Sequence, residues 1–165
     1  MSTIEEIRPA TEADAEGIAA VFAPYATDSV VTFETAPLSP DQWRAKIRES
    51  ELPFLVLDRD GEILGYALAA PWRPKPAYRF SAETTIYLSP TATGRGHGRR
   101  LLDELLKRCA EAGVRQAIAV IVDSGNPASR NLHRAAGFAD AGVLRRVGFK
   151  HDRWLDTLLM QRELG

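Results

Sequence analysis

The spacing of apolar residues along this chain alternates between the helical and the strand period, and each change marks an element boundary. IEEIR at residues 4–8 predicts a short first strand. Thr11 then offers a helix N-cap with Asp14 in the first turn. Ile18, Val21, Phe22 and Tyr25 follow at i, i+3, i+4 and i+7 on one helical face. Ser39 as N-cap, Pro40 at the first helical position and Gln42 as capping-box partner predict a second helix over about 40–50, burying Trp43 and Ile47. FLVLD (54–58) and EILGYALAA (62–70) read as two strands closed by Asp60-Gly61, a dipeptide that accepts positive φ in a tight hairpin.

FSAETTIYLS (80–89) is a further strand, ended by Pro90. Leu101, Leu102, Leu105, Leu106 and Cys109 then share one helical face, and Gly113 stands where a C-terminal glycine belongs. AIAVIV (117–122) is continuously apolar, the pattern of a strand buried on both faces of a sheet. NPASRNLHRAAGF predicts a short helix with Asn126 as cap, Pro127 at the first position and Gly137 as terminator. Two final strands are expected near 143–149 and 155–162. The order is β-α-α-β-β-β-α-β-α-β-β, without linker or internal repeat. It implies one mixed α/β domain over residues 1–165, built around a strand–loop–helix–strand crossover.

Composition narrows the picture little. The 165 residues are 45% hydrophobic and 26% charged, ordinary for a soluble globular chain. A net charge of −1 implies no general attraction to nucleic acid or to an anionic membrane. Cys109 is the only cysteine, so an internal disulfide is excluded, and no cysteine-based metal site is expected. No stretch approaches the ~18 apolar residues of a membrane span, and the first residues carry no apolar leader pattern. The expectation is a cytoplasmic protein.

Local charge is more informative. Residues 94–100 hold Gly94, Gly96 and Gly98 interleaved with Arg95, His97, Arg99 and Arg100, directly before an apolar helical pattern. A helix start presents free backbone N–H groups and the positive end of the helix dipole, and glycines let the backbone curl around an anion. Two readings of the loop stand: a flexible solvated turn, or a cradle for a phosphate-bearing ligand. The Walker pattern fails because the loop has no lysine. The dinucleotide fingerprint fails because the spacing is G-x-G-x-G, well past the first strand.

YLSPTATGRGHGRRLLDELL resembles the acetyl-coenzyme A pyrophosphate loop of the GNAT N-acetyltransferases. Thr93 stands where that pattern carries arginine or glutamine. APWRPKPAYRFSAETTIYLSP, GNPASRNLHRAAGF and VGFKHDRWLD, in that order, are similar to the phosphinothricin and methionine sulfone/sulfoximine acetyltransferase subgroup. The resemblance implies a splayed mixed sheet flanked by helices, acetyl-coenzyme A as cosubstrate, no metal, and a homodimer. It also implies acetyl transfer to the α-amine of a small amino acid or analogue. Two other readings of the same residues remain: a protein or peptide N-acetyltransferase, and a non-catalytic acyl-coenzyme A-binding domain.

Transfer to an amine requires removal of a proton from a mostly protonated ammonium. Glu83 is the one acid in a strand otherwise uncharged from Phe80 to Leu88, and its subgroup counterpart is the base. An edge-strand carboxylate facing water is the plain alternative. His133 stands where many relatives carry a tyrosine acid; it could give a proton, take one, or only bond a carbonyl. The resemblance assigns the coenzyme to backbone at Ile86, Tyr87 and Leu88, to Gly94, Arg95, Gly96, His97, Gly98 and Arg99, and to Asn126. It assigns the acceptor to Phe33, Arg73, Lys75, Tyr78, Thr84 and Thr85, with Lys75 replacing an arginine of the herbicide-acetylating relatives.

Overall fold

A computed structural model describes residues 3–165. Seven strands form one sheet in the order β1-β2-β3-β4-β5-β7-β6. They are β1 (Glu5–Pro9), β2 (Phe54–Arg59), β3 (Glu62–Pro71), β4 (Ser81–Leu88), β5 (Gln116–Val122), β6 (Ala139–Lys150) and β7 (Arg153–Glu163). The helices are α1 (Ala15–Asp28), α2 (Pro40–Glu49), α3 (His97–Glu111) and α4 (Ala128–Ala135). This is the expected element order. Among the described residues, no helix is long and apolar enough to cross a membrane.

The local signals act as their chemistry requires. Ser39 Oγ accepts from Gln42 N at 3.1 Å while Gln42 Oε1 accepts from Ser39 N at 2.8 Å, closing the capping box of α2. Asp60 and Gly61 take φ of 50° and 90°, as a two-residue hairpin turn demands. Thr11 N donates to Asp14 Oδ2 at 2.8 Å across a single 3-10 turn, Glu12–Asp14, that leads into α1. Asn126 Oδ1 accepts from Ala128 N at 3.0 Å, so it caps α4, although the helix begins one residue beyond Pro127.

The sheet separates two cores. On one face α3 packs Leu101, Leu102, Leu105, Leu106 and Cys109 against Leu55, Leu57, Ala67, Ala82, Ala117 and Met160. Burial there pushes the Cys109 thiol up to about 11, which leaves it an inert packing group. On the other face α1 and α2 bring Ile18, Phe22 and Trp43 onto Phe54, Val56 and Tyr66, with Tyr87 at the margin. The rings meet edge-on, Phe22 to Trp43 at 5.7 Å and Phe22 to Tyr87 at 5.2 Å.

Two expectations are corrected. Strand β5 is not buried on both faces: its burial alternates, and Val120 is 38% exposed. The reason lies in pairing, because β4 and β5 run parallel only from Ser81–Gln116 to Thr84–Ala119 and then part. The last two strands are longer than expected. Their pairing shifts between Asp140 and Gly142 and again between Leu144 and Gly148, and these irregularities broke the alternation that sets strand limits in sequence.

Arg8 on β1 ties the first helical segment to the sheet. Its two terminal nitrogens each lie 2.8 Å from one Asp14 oxygen, and Nη2 also lies 3.0 Å from Asp58 Oδ2. The guanidinium, chiefly, holds the Asp14 carboxyl below its usual range. A carboxylate depressed in the folded state stabilises above its unfolded pKa, and that contribution disappears as pH falls through the folded value. Asp14→Asn should therefore cost about 2 kcal/mol at neutral pH in denaturant titrations, with the gap to wild type closing below the ordinary carboxylate range.

Candidate active site

The parting of β4 and β5 opens a cavity of about 770 Å³ that reaches both sides of the sheet. Each strand is held by its outer neighbour. The remainder of β4 stays on β3 through Leu68–Thr85 to Gly65–Leu88, and β5 stays on β7 as far as Val122–Thr157. Tyr25 Oη adds a hydrogen bond of 2.5 Å to the Leu88 carbonyl. Gly65 permits the close approach of β3, because a Cβ there would stand 2.6 Å from Leu88 Cδ2 and 2.9 Å from the Tyr87 oxygen.

The direction of the unpaired peptide groups follows from the ladder. Trp72 N donates to Ser81 O and Ser89 N to Leu64 O, which fixes the hydrogen-bonded pairs of β3 and β4. Alternation then gives Glu83, Thr85 and Tyr87 their backbone bonds to β3, and turns the N–H and C=O of Ile86 and the N–H of Leu88 toward the gap, the Leu88 carbonyl being taken by Tyr25 Oη. Two residues expected to offer backbone to a thioester-bearing chain thus point there.

Strand alternation also sorts the side chains. Tyr87 packs on Phe22, so Glu83 and Thr85 share the α1 side; Ala82 lies in the α3 core, so Thr84 and Ile86 share that side. Phe33 and Glu34, from the loop between α1 and α2, line the cavity together with Glu83, Thr85 and Val120. Gly94, Gly96, Gly98, Arg99, Asn126, Leu132 and His133 line it as well, from α3, α4 and the segments leading into them. Thr84 is buried with no partner for its hydroxyl.

Glu83 is half-buried, and burial raises its carboxyl pKa above the usual value, with nearby Arg73 opposing. A carboxylate so placed is a stronger proton acceptor than one in water. His133 is 3% exposed and its Nδ1 lies 2.7 Å from the Ser129 carbonyl. A carbonyl can only accept, so Nδ1 carries the proton and Nε2 the lone pair. Burial lowers the His133 pKa, which favours the neutral ring at neutral pH. Phe138 meets the ring edge-on at 5.0 Å and fixes its orientation.

The glycine loop is built for close backbone approach. Gly94 and Gly96 have φ of 76° and 80°, and nothing stands within 4 Å of where either Cβ would be. Gly96 caps α3, and the first helical bond runs from Arg100 N to Gly96 O at 3.3 Å. The N–H groups of His97, Gly98 and Arg99 precede that bond and have no intrahelical acceptor.

Several expected residues lie elsewhere. Arg73, Lys75 and Tyr78 sit on the exposed 72–80 connection and do not line the cavity. Arg73 stacks on Trp72 at 4.0 Å and donates to its carbonyl, while Tyr78 N bonds Lys75 O in a turn of its own. Arg95 is exposed and outside the lining. The His97 ring is buried away from the cavity, with Nδ1 2.9 Å from Arg100 Nη2 and 3.8 Å from Glu5 Oε2. Thr93 does line the cavity, but its hydroxyl donates to Pro90 O at 3.2 Å. Conversely, Val122 and Thr157 line the cavity unforeseen, since an apolar run and a lone threonine in a terminal strand gave no sign of it.

Residues 18–138 match the Acetyltransferase (GNAT) family. Over 162 residues the chain is 46% identical to a phosphinothricin N-acetyltransferase of Alcaligenes faecalis, covering 96% of this chain and 82% of that protein. It is 35% identical to an L-methionine sulfoximine/L-methionine sulfone acetyltransferase of Pseudomonas aeruginosa, covering 96% and 94%. The crystal structure of a GNAT superfamily phosphinothricin acetyltransferase from Sinorhizobium meliloti in complex with acetyl-coenzyme A superposes with a TM-score of 0.89 at 42% identity, over 98% of this chain and 89% of that one. The glycine cradle, the parted strands and these similarities agree: the chain belongs to the GNAT family and is an acetyl-coenzyme A-dependent N-acetyltransferase.

Proposed function

We propose that this enzyme acetylates the α-amine of a small amino acid or analogue of the phosphinothricin, methionine sulfone or methionine sulfoximine type, with Glu83 as base. The observation that carries this reading is a half-buried carboxylate of raised pKa lining the cavity on the α1 side, where β4 and β5 part. Closely similar proteins bear those substrates in their names.

Acetyl-coenzyme A, when bound, supplies the acetyl group as an activated thioester. The residues present fit it. The open positions beside Gly94 and Gly96 and the unpaired N–H groups at the start of α3 would take the pyrophosphate, with Asn126 near it. The N–H groups of Ile86 and Leu88 would hold the extended arm and polarise the carbonyl, a donor worth on the order of 3 kcal/mol in such a role. Glu83 takes the proton from the acceptor's ammonium, directly or through one water. His133, neutral with its lone pair on Nε2, is suited to take the second amine proton as the amide forms and to pass it to the departing thiolate. Lys75 and Tyr78 reach the acceptor only by a swing of the 72–80 connection, whereas the Arg73 charge already acts at Glu83. Acetylation removes the charge of a toxic analogue's amine, and resistance to such compounds in the cytoplasm is the role we infer.

We also infer a homodimer formed through the β6–β7 hairpin at the sheet edge. Val143, Leu144, Val147, Phe149 and Trp154 are each between 47% and 67% exposed there. A dimer should sediment as such, and Val147→Asp should shift it toward monomer; a monomeric wild type at micromolar concentration would exclude this interface.

Glu83→Gln should lower kcat by roughly 10²-fold or more while the acetyl-coenzyme A Kd stays within about twofold. In wild type the acid limb of kcat/KM should inflect above the ordinary carboxylate range, because Glu83 must be deprotonated, and Gln should abolish that limb. Thiol release measured across amino acids, sulfone and phosphinate analogues and peptides tests the acceptor. Turnover confined to peptides would reject the small-amine reading.

A further inference from the structure

We propose that Lys150 is a positioning residue for the acceptor: from the end of β6 its ammonium group clamps the α1–α2 loop, residues 29–39, over the α1 side of the cavity. This rests on the small-amine reading of that side, whereas the clamp itself stands on geometry alone.

Lys150 is 5% exposed. Its Nζ donates to Glu34 O at 2.6 Å, to Thr32 O at 2.9 Å and to Tyr25 O at 3.4 Å. An ammonium has three donors, and here three carbonyls receive them. Among the described residues it has no carboxylate within ion-pair distance; the Glu34 charge acts on it from farther away, and its burial is compensated chiefly by backbone carbonyls. A charge buried on those terms is a strong tie, since releasing the loop would leave it only the Tyr25 carbonyl of α1 at 3.4 Å.

The loop's other ties to the body are side-chain packing near its ends, Val30 with Val122 and Leu155 and Leu38 on the α1–α2 core. Its own bonds are short turns, Val31 N to Ser29 Oγ at 3.3 Å and Glu34 N to Thr32 Oγ1 at 3.1 Å. Among the described residues, no backbone–backbone bond fastens 30–38 to the sheet. A second contact from the same strand acts on the loop's aromatic residue. Gly148 lies two positions before Lys150, hence on the same face, and a Cβ there would stand 2.1 Å from Phe33 Cζ. The Phe33 ring therefore rests directly on the β6 backbone. Lys150 fixes the loop's main chain and Gly148 seats its ring, while Val31, Thr32, Phe33 and Glu34 face the cavity. The shape offered to the acceptor is thus set by a strand that belongs to the far edge of the sheet.

Full-length wild type, Lys150→Met and Gly148→Ala are compared by amide hydrogen exchange without ligand and by steady-state kinetics. In Lys150→Met, amides of 29–39 should exchange about tenfold faster while those of β3 and β4 keep their rates. The amine KM should rise about tenfold with a smaller change in kcat and an unaltered acetyl-coenzyme A Kd. Gly148→Ala keeps the ammonium and displaces only the ring, so it should raise the amine KM and leave folding intact. Unchanged exchange in 29–39, acceleration spread evenly over the sheet, or a rise in both substrates' KM together would overturn the proposal. Should Lys150→Met fail to fold, an unaltered amine KM in Gly148→Ala overturns it alone. A wild type inactive on every small amine would refute the acceptor reading instead, and the exchange result would still decide the clamp.

Discussion

The pairing of β4 with β5 stops after Thr84 and Ala119, and the chemistry of this enzyme depends on that interruption. A continued ladder would satisfy the Ile86 peptide groups and the Leu88 N–H within the sheet and close the cavity. Because β3 holds one strand and β7 the other, the two diverge without either losing its outer partner. Unsatisfied backbone donors inside a folded protein carry a cost, and a ligand that supplies the missing acceptors recovers it.

The same opening explains the opposed behaviour of two titratable groups. Burial disfavours charge, so it raises the carboxyl of Glu83 and lowers the imidazole of His133. Both are driven toward neutrality by one environment: the Glu83 carboxylate gains proton affinity and the His133 ring loses it. Their fixed surroundings differ. Glu83 rides on a strand locked by the Phe22–Tyr87 ring contact, whereas His133 is oriented by Ser129 and Phe138 on a short helix. The glycine segment supplies the remaining element, a helix start whose N–H groups are free because Gly96 turns the chain into α3 with a positive φ.

Much of this was legible in the residues. The element order, the α2 capping box, the Asp60-Gly61 hairpin and the glycine-bearing helix start all rest on local chemistry, and each formed where its signal lay. Glu83 and His133 were recognisable through their motifs, and both line the cavity. The cations of the 72–80 connection show the limit: Arg73 and Lys75 promised an anion site, but a local turn and stacking on Trp72 keep them at the surface. His97 belonged to the right segment, yet the rotation of α3 carried its ring toward Glu5. Lys150 lies inside VGFKHDRWLD and gave no hint of its role, since its three acceptors come from residues more than a hundred positions away.

Period, caps and turn residues are properties of neighbours along the chain, so the sequence by itself determined which segments are helices and strands, their order, and the cradle at residues 94–99. Where β4 and β5 separate, which face of β5 is open, which basic side chains reach the cavity, and what pins the 29–39 loop were decided only by the tertiary structure. Each is a balance between contacts of distant segments: β3 against β7, α1 against β6. No local pattern records the outcome of such a competition.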